Sequence, residues 1–175
     1  ARAALTREPV RVTDRGQRVL VEAPTGGDDA SIVTTFAVTA PAGTNIALNS
    51  ISGEITVTGI QGAVSAETVS GDVTVSGVPK LSLARTISGD IVVRDADGDG
   101  RLEVGTVSGD VTLERVKARH LEANTVSGEL RAVDVRTTTA EVTTLSGSVA
   151  YTADLEAGGR YQFHSHSGEL VLTLG

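Results

Sequence analysis

The chain has 175 residues, a length that suits one domain with a continuous core. Its 15 basic and 22 acidic residues leave a formal charge of −7, and its aromatics are Phe36, Tyr151, Tyr161 and Phe163; this speaks against a nucleic-acid partner, which needs clustered cations and stacking rings. Cysteine is absent, which removes disulfides and thiolate chemistry; no apolar run approaches the roughly 20 residues of a transmembrane helix, and no signal peptide or anchor is read from Ala1 onward.

Residues 1–44 read as an N-terminal cap. "PVRVTDRGQRVLVEAP" predicts a strand, a turn at Asp14-Arg15-Gly16 and a second strand, and "APTGGDDAS" is loop. "SIVTTFAVTAPAGTNIALNS" predicts a further strand, a turn at Pro41-Ala42-Gly43 and entry into the first repeat. A stacked-repeat fold needs such a cap, because an open end is an unpaired strand edge.

Over residues 45–175 one phrase recurs: Ser or Thr, apolar, Ser, Gly, acid, apolar. It occupies Ser50 to Ile55, Thr68 to Val73, Thr86 to Ile91, Thr106 to Val111 and Thr125 to Leu130, with degenerate copies at Thr144 to Val149 and Ser165 to Leu170. Its glycines, Gly53, Gly71, Gly89, Gly109, Gly128, Gly147 and Gly168, are spaced by 18, 18, 20, 19, 19 and 21 residues, the mark of a structural coil. Alternations such as Val73-Thr74-Val75 and Leu102-Glu103-Val104, with β-branched residues throughout, predict two short strands and two corners per repeat and no helix. The expected fold is therefore all-β: a single-stranded parallel β-solenoid of about seven rungs, stacked about 4.8 Å apart. The preference of parallel crossovers makes it right-handed.

In such a coil each position of the repeat becomes a vertical column. The glycines fit a corner that demands positive φ or close backbone approach. The apolar residues flanking it, such as Val69 with Val73 and Val126 with Leu130, are expected to meet inside. A second unvarying column is Ser50, Thr68, Thr86, Thr106, Thr125, Thr144 and Ser165. Strict alternation turns it inward with Ala66 or Val104, yet its apolar neighbour also suits the interior. A bulge is therefore expected between the two, and the pattern leaves open which of them faces the core. Its hydroxyls are expected to satisfy corner backbone groups. A flat exposed Thr array of the ice-binding sort is disfavoured, because the outward column of the next strand reads Thr56, Thr74, Val92, Thr112, Arg131, Ala150 and Val171.

The most repetitive candidate binding surface is the acid after each glycine: Glu54, Asp72, Asp90, Asp110, Glu129 and Glu169. Like charges stacked about 5 Å apart repel unless bound cations, a cationic partner or corner N–H groups offset them. The local reading is that each carboxylate accepts from its own corner. A second acidic column, Glu103, Glu122 and Glu141, is expected to be diluted by Arg115, Lys117, Arg119 and Arg136. Farther along, "DADGDGRLEVGT" places Asp95, Asp97, Asp99 and Gly100 in a calcium-loop pattern, but Thr106 stands where a bidentate Glu is required. A surface turn is preferred there, with calcium as the alternative. His164 and His166 lie two apart on one strand face and with Glu169 would leave a zinc ion one ligand short. With Tyr161 and Phe163 they instead predict a broader terminal coil closing the core. No cofactor is expected.

The run "FAVTAPAGTNIALNSISGEITVTGIQGAVSAETVSGDVTVSGV", in which "PAGT" leads into tandem Ser-Gly-acid units, resembles the bacterial β-strand-repeat, adhesin-like proteins of domain-of-unknown-function family 4097. The likeness covers about residues 30–175. It implies a parallel β-solenoid, an association with the cell envelope and no established enzymatic activity. Ser148 in place of the acid and His166 in place of the apolar residue depart from the pattern.

The expected function is that of a non-enzymatic, envelope-associated interaction or scaffold module, presenting a rigid acidic face to a protein, a cationic peptide or a cell-wall component. A solenoid that assembles end to end is the alternative. A carbohydrate-active enzyme would need one rung to break the repeat with a cleft and opposed acids. The acids recur identically from rung to rung, and no nucleophile elbow is present.

Overall fold

The computed structural model describes Arg11–Asp14, Arg18–Glu22 and residues 43–174. Its strands are β1 (Arg11–Asp14), β2 (Arg18–Glu22), β3 (Asn45–Ser52), β4 (Ile55–Thr58), β5 (Ala63–Ser70), β6 (Val73–Ser76) and β7 (Lys80–Arg85). They continue as β8 (Ile91–Asp97), β9 (Arg101–Ser108), β10 (Val111–Ser127), β11 (Leu130–Ser146), β12 (Val149–Ala153), β13 (Arg160–Ser167) and β14 (Leu170–Leu174). β1 and β2 pair antiparallel, and β2 joins β3 in parallel, so the first two strands extend the sheet. The strand and loop expected over 23–42 and the residues Arg15 and Gly16 of the expected turn lie outside the described residues.

From β3 onward every pairing is parallel, and the strands fall on two faces. One face runs β3-β5-β7-β9, then the second halves of β10 and β11, then β13. The other runs β4-β6-β8, then the first halves of β10 and β11, then β12 and β14. This is the expected parallel β-solenoid of about seven turns. The repeat produces it because a two-strand unit cannot bury its own apolar face, whereas a neighbouring copy of the same unit covers it and takes up its backbone hydrogen bonds.

Inside, the columns are aliphatic. Val73, Ile91, Val111, Leu130 and Val149 stack on one face, and Ala66, Ala84, Val104, Ala123 and Val142 on the other, all buried. Each fully buried Val or Leu contributes roughly 1.5–3 kcal/mol. Toward the last rung the filling becomes aromatic: Tyr151 meets Phe163 edge to face with ring centroids 5.0 Å apart.

The Thr column corrects the inward placement expected for Val69 and Val126. Thr68 and Thr125 are 5% and 4% exposed, while Val69 and Val126 are 44% and 40% exposed. Alternation simply continues from Val64 and Ala66 to Thr68, so the next residue points out, and the register is unbroken there: Ser50 pairs Thr68 and Ser52 pairs Ser70. No bulge separates the pair; the register shift lies between Val64 and Ser65 against β7. In two rungs the buried hydroxyl reaches the corner below: Thr86 Oγ1 donates to the Gly71 carbonyl (3.1 Å) and Thr106 Oγ1 to that of Gly89 (3.2 Å). The buried hydroxyls of Thr68, Thr125 and Thr144 have no such partner.

Each rung turns twice. At the first corner the glycines stand on one line: a Cβ on Gly109 would fall 2.0 Å from the Gly89 carbonyl oxygen, and one on Gly128 equally close to Gly109. Gly109 also has φ of 147°. The second corner, six residues further on, has positive φ at Gly59 (70°), Gly77 (65°), Asp95 (54°), Arg115 (51°) and Asp134 (53°). In β10 and β11 the strand passes through this bend with register kept on both sides, Glu114 opposite Val133 and Val116 opposite Val135. Two of the expected short-strand pairs are thereby fused into strands of 17 residues.

Candidate functional site

The acids of the first corner do form a column. The N–H that follows the acid donates to the carbonyl at the acid position of the next rung, Val73 to Asp90, Ile91 to Asp110, Val111 to Glu129 and, where Ser replaces the acid, Leu130 to Ser148. Glu54, Asp72, Asp90, Asp110, Glu129 and Glu169 are all exposed. The repulsion is offset by backbone donors, but not by those of the same corner. Asp72 Oδ1 accepts from the Asp90 N–H (2.9 Å), Asp90 Oδ1 from Asp110 (2.8 Å), and Asp110 Oδ1 from Glu129 (2.7 Å). Each aspartate thus reaches the rung that follows it, a geometry only the stacked coil creates. Glu54, one methylene longer, accepts instead from the Thr56 hydroxyl at 3.0 Å.

Elsewhere several charges are matched between rungs. Glu103 and Glu122 of the second acidic column are paired by Arg85 and Arg101, and Glu114 by Arg94. Three of the four expected diluting residues serve other acids, Arg119 making no ion pair among the described residues: Arg115 holds Asp95, Lys117 lies 3.4 Å from Asp97, and Arg136 lies 3.6 Å from Asp134 and 3.9 Å from Asp154. Among the described residues no first-corner acid has an Arg or Lys within ion-pair distance.

The calcium-loop residues are not gathered around a common point. Asp95 sits in the second-corner column, where the Arg115 guanidinium hydrogen-bonds both its oxygens (2.6 and 3.1 Å) and holds its carboxyl below the usual range; the Arg115 pKa is raised in turn. Asp97 faces Lys117, and Asp99 lies in the exposed turn that follows β8. His164 and His166 are both exposed on β13. Among the described residues no three His, Asp or Glu side chains are grouped to hold a metal ion.

The feature hidden from the sequence reading is apolar. Ile51, Val69, Ile87, Val107, Val126 and Leu145, the residues between the buried Thr and the corner Ser, are 40 to 59% exposed and stand in line down one edge of the rod. Strict alternation counted outward from Ala66 is the signal that reveals them. Beside the stripe, toward the last rung, opens a shallow cleft of about 460 Å³ lined by Asn124, Val126, Thr143, Leu145, His164 and His166. On its other side, three residues along each rung, runs the acid column. Burial raises the pKa of the Tyr151 phenol, partly offset by nearby Thr137, but that group lies inside and takes no part in this surface.

The family model described as Toastrack DUF4097 matches residues 78–173, more than half of the chain. That description names a domain of unknown function and carries no adhesin role. No curated protein and no solved structure matches. Among the described residues no helix is long and apolar enough to cross a membrane.

Proposed function

The chain belongs to the Toastrack DUF4097 family, and we propose that it serves there as a non-enzymatic interaction scaffold of the cell envelope, a rigid rod whose first-corner edge meets a cationic partner. The envelope placement follows from the kind of protein its repeat grammar resembles. The observation that carries the reading is the contrast in charge pairing. Glu103, Glu114 and Glu122 on the two faces and Asp95 and Asp97 at the second bend have Arg or Lys partners in an adjacent rung, while the first-corner acids expose carboxylates with none among the described residues. Polylysine retention tests it: binding should fall with rising salt and weaken in the D72N/D90N/D110N variant, which keeps an amide oxygen to accept the inter-rung bonds. Retention insensitive to both salt and charge removal would sink the electrostatic claim.

A further inference from the structure

We infer that the aliphatic stripe of Ile51, Val69, Ile87, Val107, Val126 and Leu145 is a docking line for an amphipathic, cationic α-helix lying parallel to the rod axis. The inference rests on the scaffold reading above and names its partner. Three observations carry it.

The first is amount. Six β-branched or Leu side chains, each 40 to 59% exposed and adjacent from rung to rung, make an apolar surface on the order of 500 Å², the size of the largest patch on a typical monomer. The second is charge. The acid column lies three residues beyond the stripe on every rung, and Glu54, Asp72, Asp90, Asp110 and Glu129 have no cationic side chain within ion-pair distance among the described residues. A partner seated on the stripe therefore gains by carrying Lys or Arg along that flank, and an acidic one is repelled. A second copy of this chain, at −7 and with its own acid column beside its stripe, is the less suitable occupant.

The third is pitch. Rungs repeat every ~4.8 Å, and an α-helix presents a new turn every ~5.4 Å, so turns and rungs drift apart by only about 0.6 Å per step. Across the five steps from Ile51 to Leu145, about 24 Å, a helix of about 16 residues keeps its apolar ridge on the ladder. An extended strand along the same line returns a side chain to one face only every ~6.7 Å and loses register after one or two rungs. Helix-on-surface recognition through apolar residues at i, i+3, i+4 and i+7 is the mode that fits.

The test uses the full chain and three synthetic peptides of equal length: a Leu/Lys peptide with helical patterning, a Leu/Glu peptide with the same patterning, and a Leu/Lys peptide with alternating patterning. Fluorescence anisotropy should show the helical Leu/Lys peptide binding about tenfold tighter than either other. V107S/V126S, at exposed positions, should weaken that binding about tenfold with unchanged circular dichroism. D90N/D110N should weaken it severalfold and flatten its salt dependence. Unchanged affinity in V107S/V126S, or equal binding of the alternating peptide, overturns the proposal. So does self-association of the wild type that V107S/V126S abolishes, because the stripe would then belong to a second copy. If polylysine retention stays salt-sensitive while V107S/V126S binds the helical peptide normally, the scaffold reading stands and the helix-docking inference alone falls. If neither polylysine nor the peptide binds, both fall.

Discussion

The two corners of a rung obey different rules although both bend the backbone through positive φ in the five rungs from Gly53 to Gly128. At the Ser-Gly-acid corner all seven positions, from Gly53 to Gly168, are glycine. At the other, Gly59 and Gly77 give way to Asp95, Arg115 and Asp134 at nearly the same φ. The difference is crowding joined to φ itself, which is 147° at Gly109, outside the αL region, and 51 to 70° at the second corner. A Cβ on Gly109 would lie 2.0 Å from a carbonyl oxygen of the rung below, whereas one on Gly59 would meet nothing within 4 Å and one on Gly77 nothing nearer than 3.7 Å. A left-handed conformation alone costs an ordinary residue roughly 1–2 kcal/mol and is tolerated. Backbone packed against backbone is not.

Substitutions at the two corners put that contrast to the test. Gly109→Ala is expected to cost at least about 3 kcal/mol, strain and overlap together, while Gly77→Asn should cost under about 1 kcal/mol because Asn accepts the αL region and has room. Urea unfolding of both variants checks this, and equal losses would mean that neither the backbone overlap nor the wider φ of the first corner separates the two. Next in size is the Thr column next to the crowded corner. Thr106→Val removes a hydroxyl bonded to Gly89 and should cost about 1 kcal/mol; Thr125→Val removes an unpartnered buried hydroxyl and should be neutral or stabilise by about as much. A loss of the same size in both would deny the hydroxyl bond any part in anchoring the corner.

The open corner supplies the smaller effects. Asp134→Gly should raise stability by a few tenths of a kcal/mol, the relief of positive φ offset by the greater freedom of glycine when unfolded; a measured loss would show that the side chain helps hold the bend. The smallest effect concerns Asp95. Its folded pKa is lowered by the Arg115 hydrogen bond, so its contribution is present above the unfolded carboxylate pKa and disappears as pH falls through the folded one. The melting-temperature gap between wild type and Asp95→Asn should be small and constant near neutrality and close under acid. A gap that widens under acid would contradict the assignment.

The crowded corner was legible in the sequence because crowding leaves one residue type at every turn, and a column of identical letters is easy to see. The open corner was not, because Asp, Arg and Gly satisfy it alike. Its trace is present only as spacing: Gly59, Gly77, Asp95, Arg115 and Asp134 each follow a corner glycine by six residues. The inward Thr was misleading for a related reason. Hydropathy favours Val69 over Thr68 for the interior, but alternation fixes the side, and a local hydrogen bond lets some rungs bury the more polar residue at little cost. The docking stripe went unseen with it, since the two assignments are one choice. The pairing of Asp72, Asp90 and Asp110 with the following rung needed coordinates, because the donors are backbone groups 18 to 20 residues away.

That aspartate ladder also has a direction in time. Each carboxylate belongs to residues that leave the ribosome before the amide it will receive, so a completed turn waits with its acceptor in place for the next. Growth can then proceed by templated addition in the order of synthesis, each arriving amide finding the carboxylate it donates to already made. Nascent chains arrested beyond Glu129 should already show slow amide exchange at Asp90 and Asp110; rapid exchange there until translation ends would mean the rod forms in one late step.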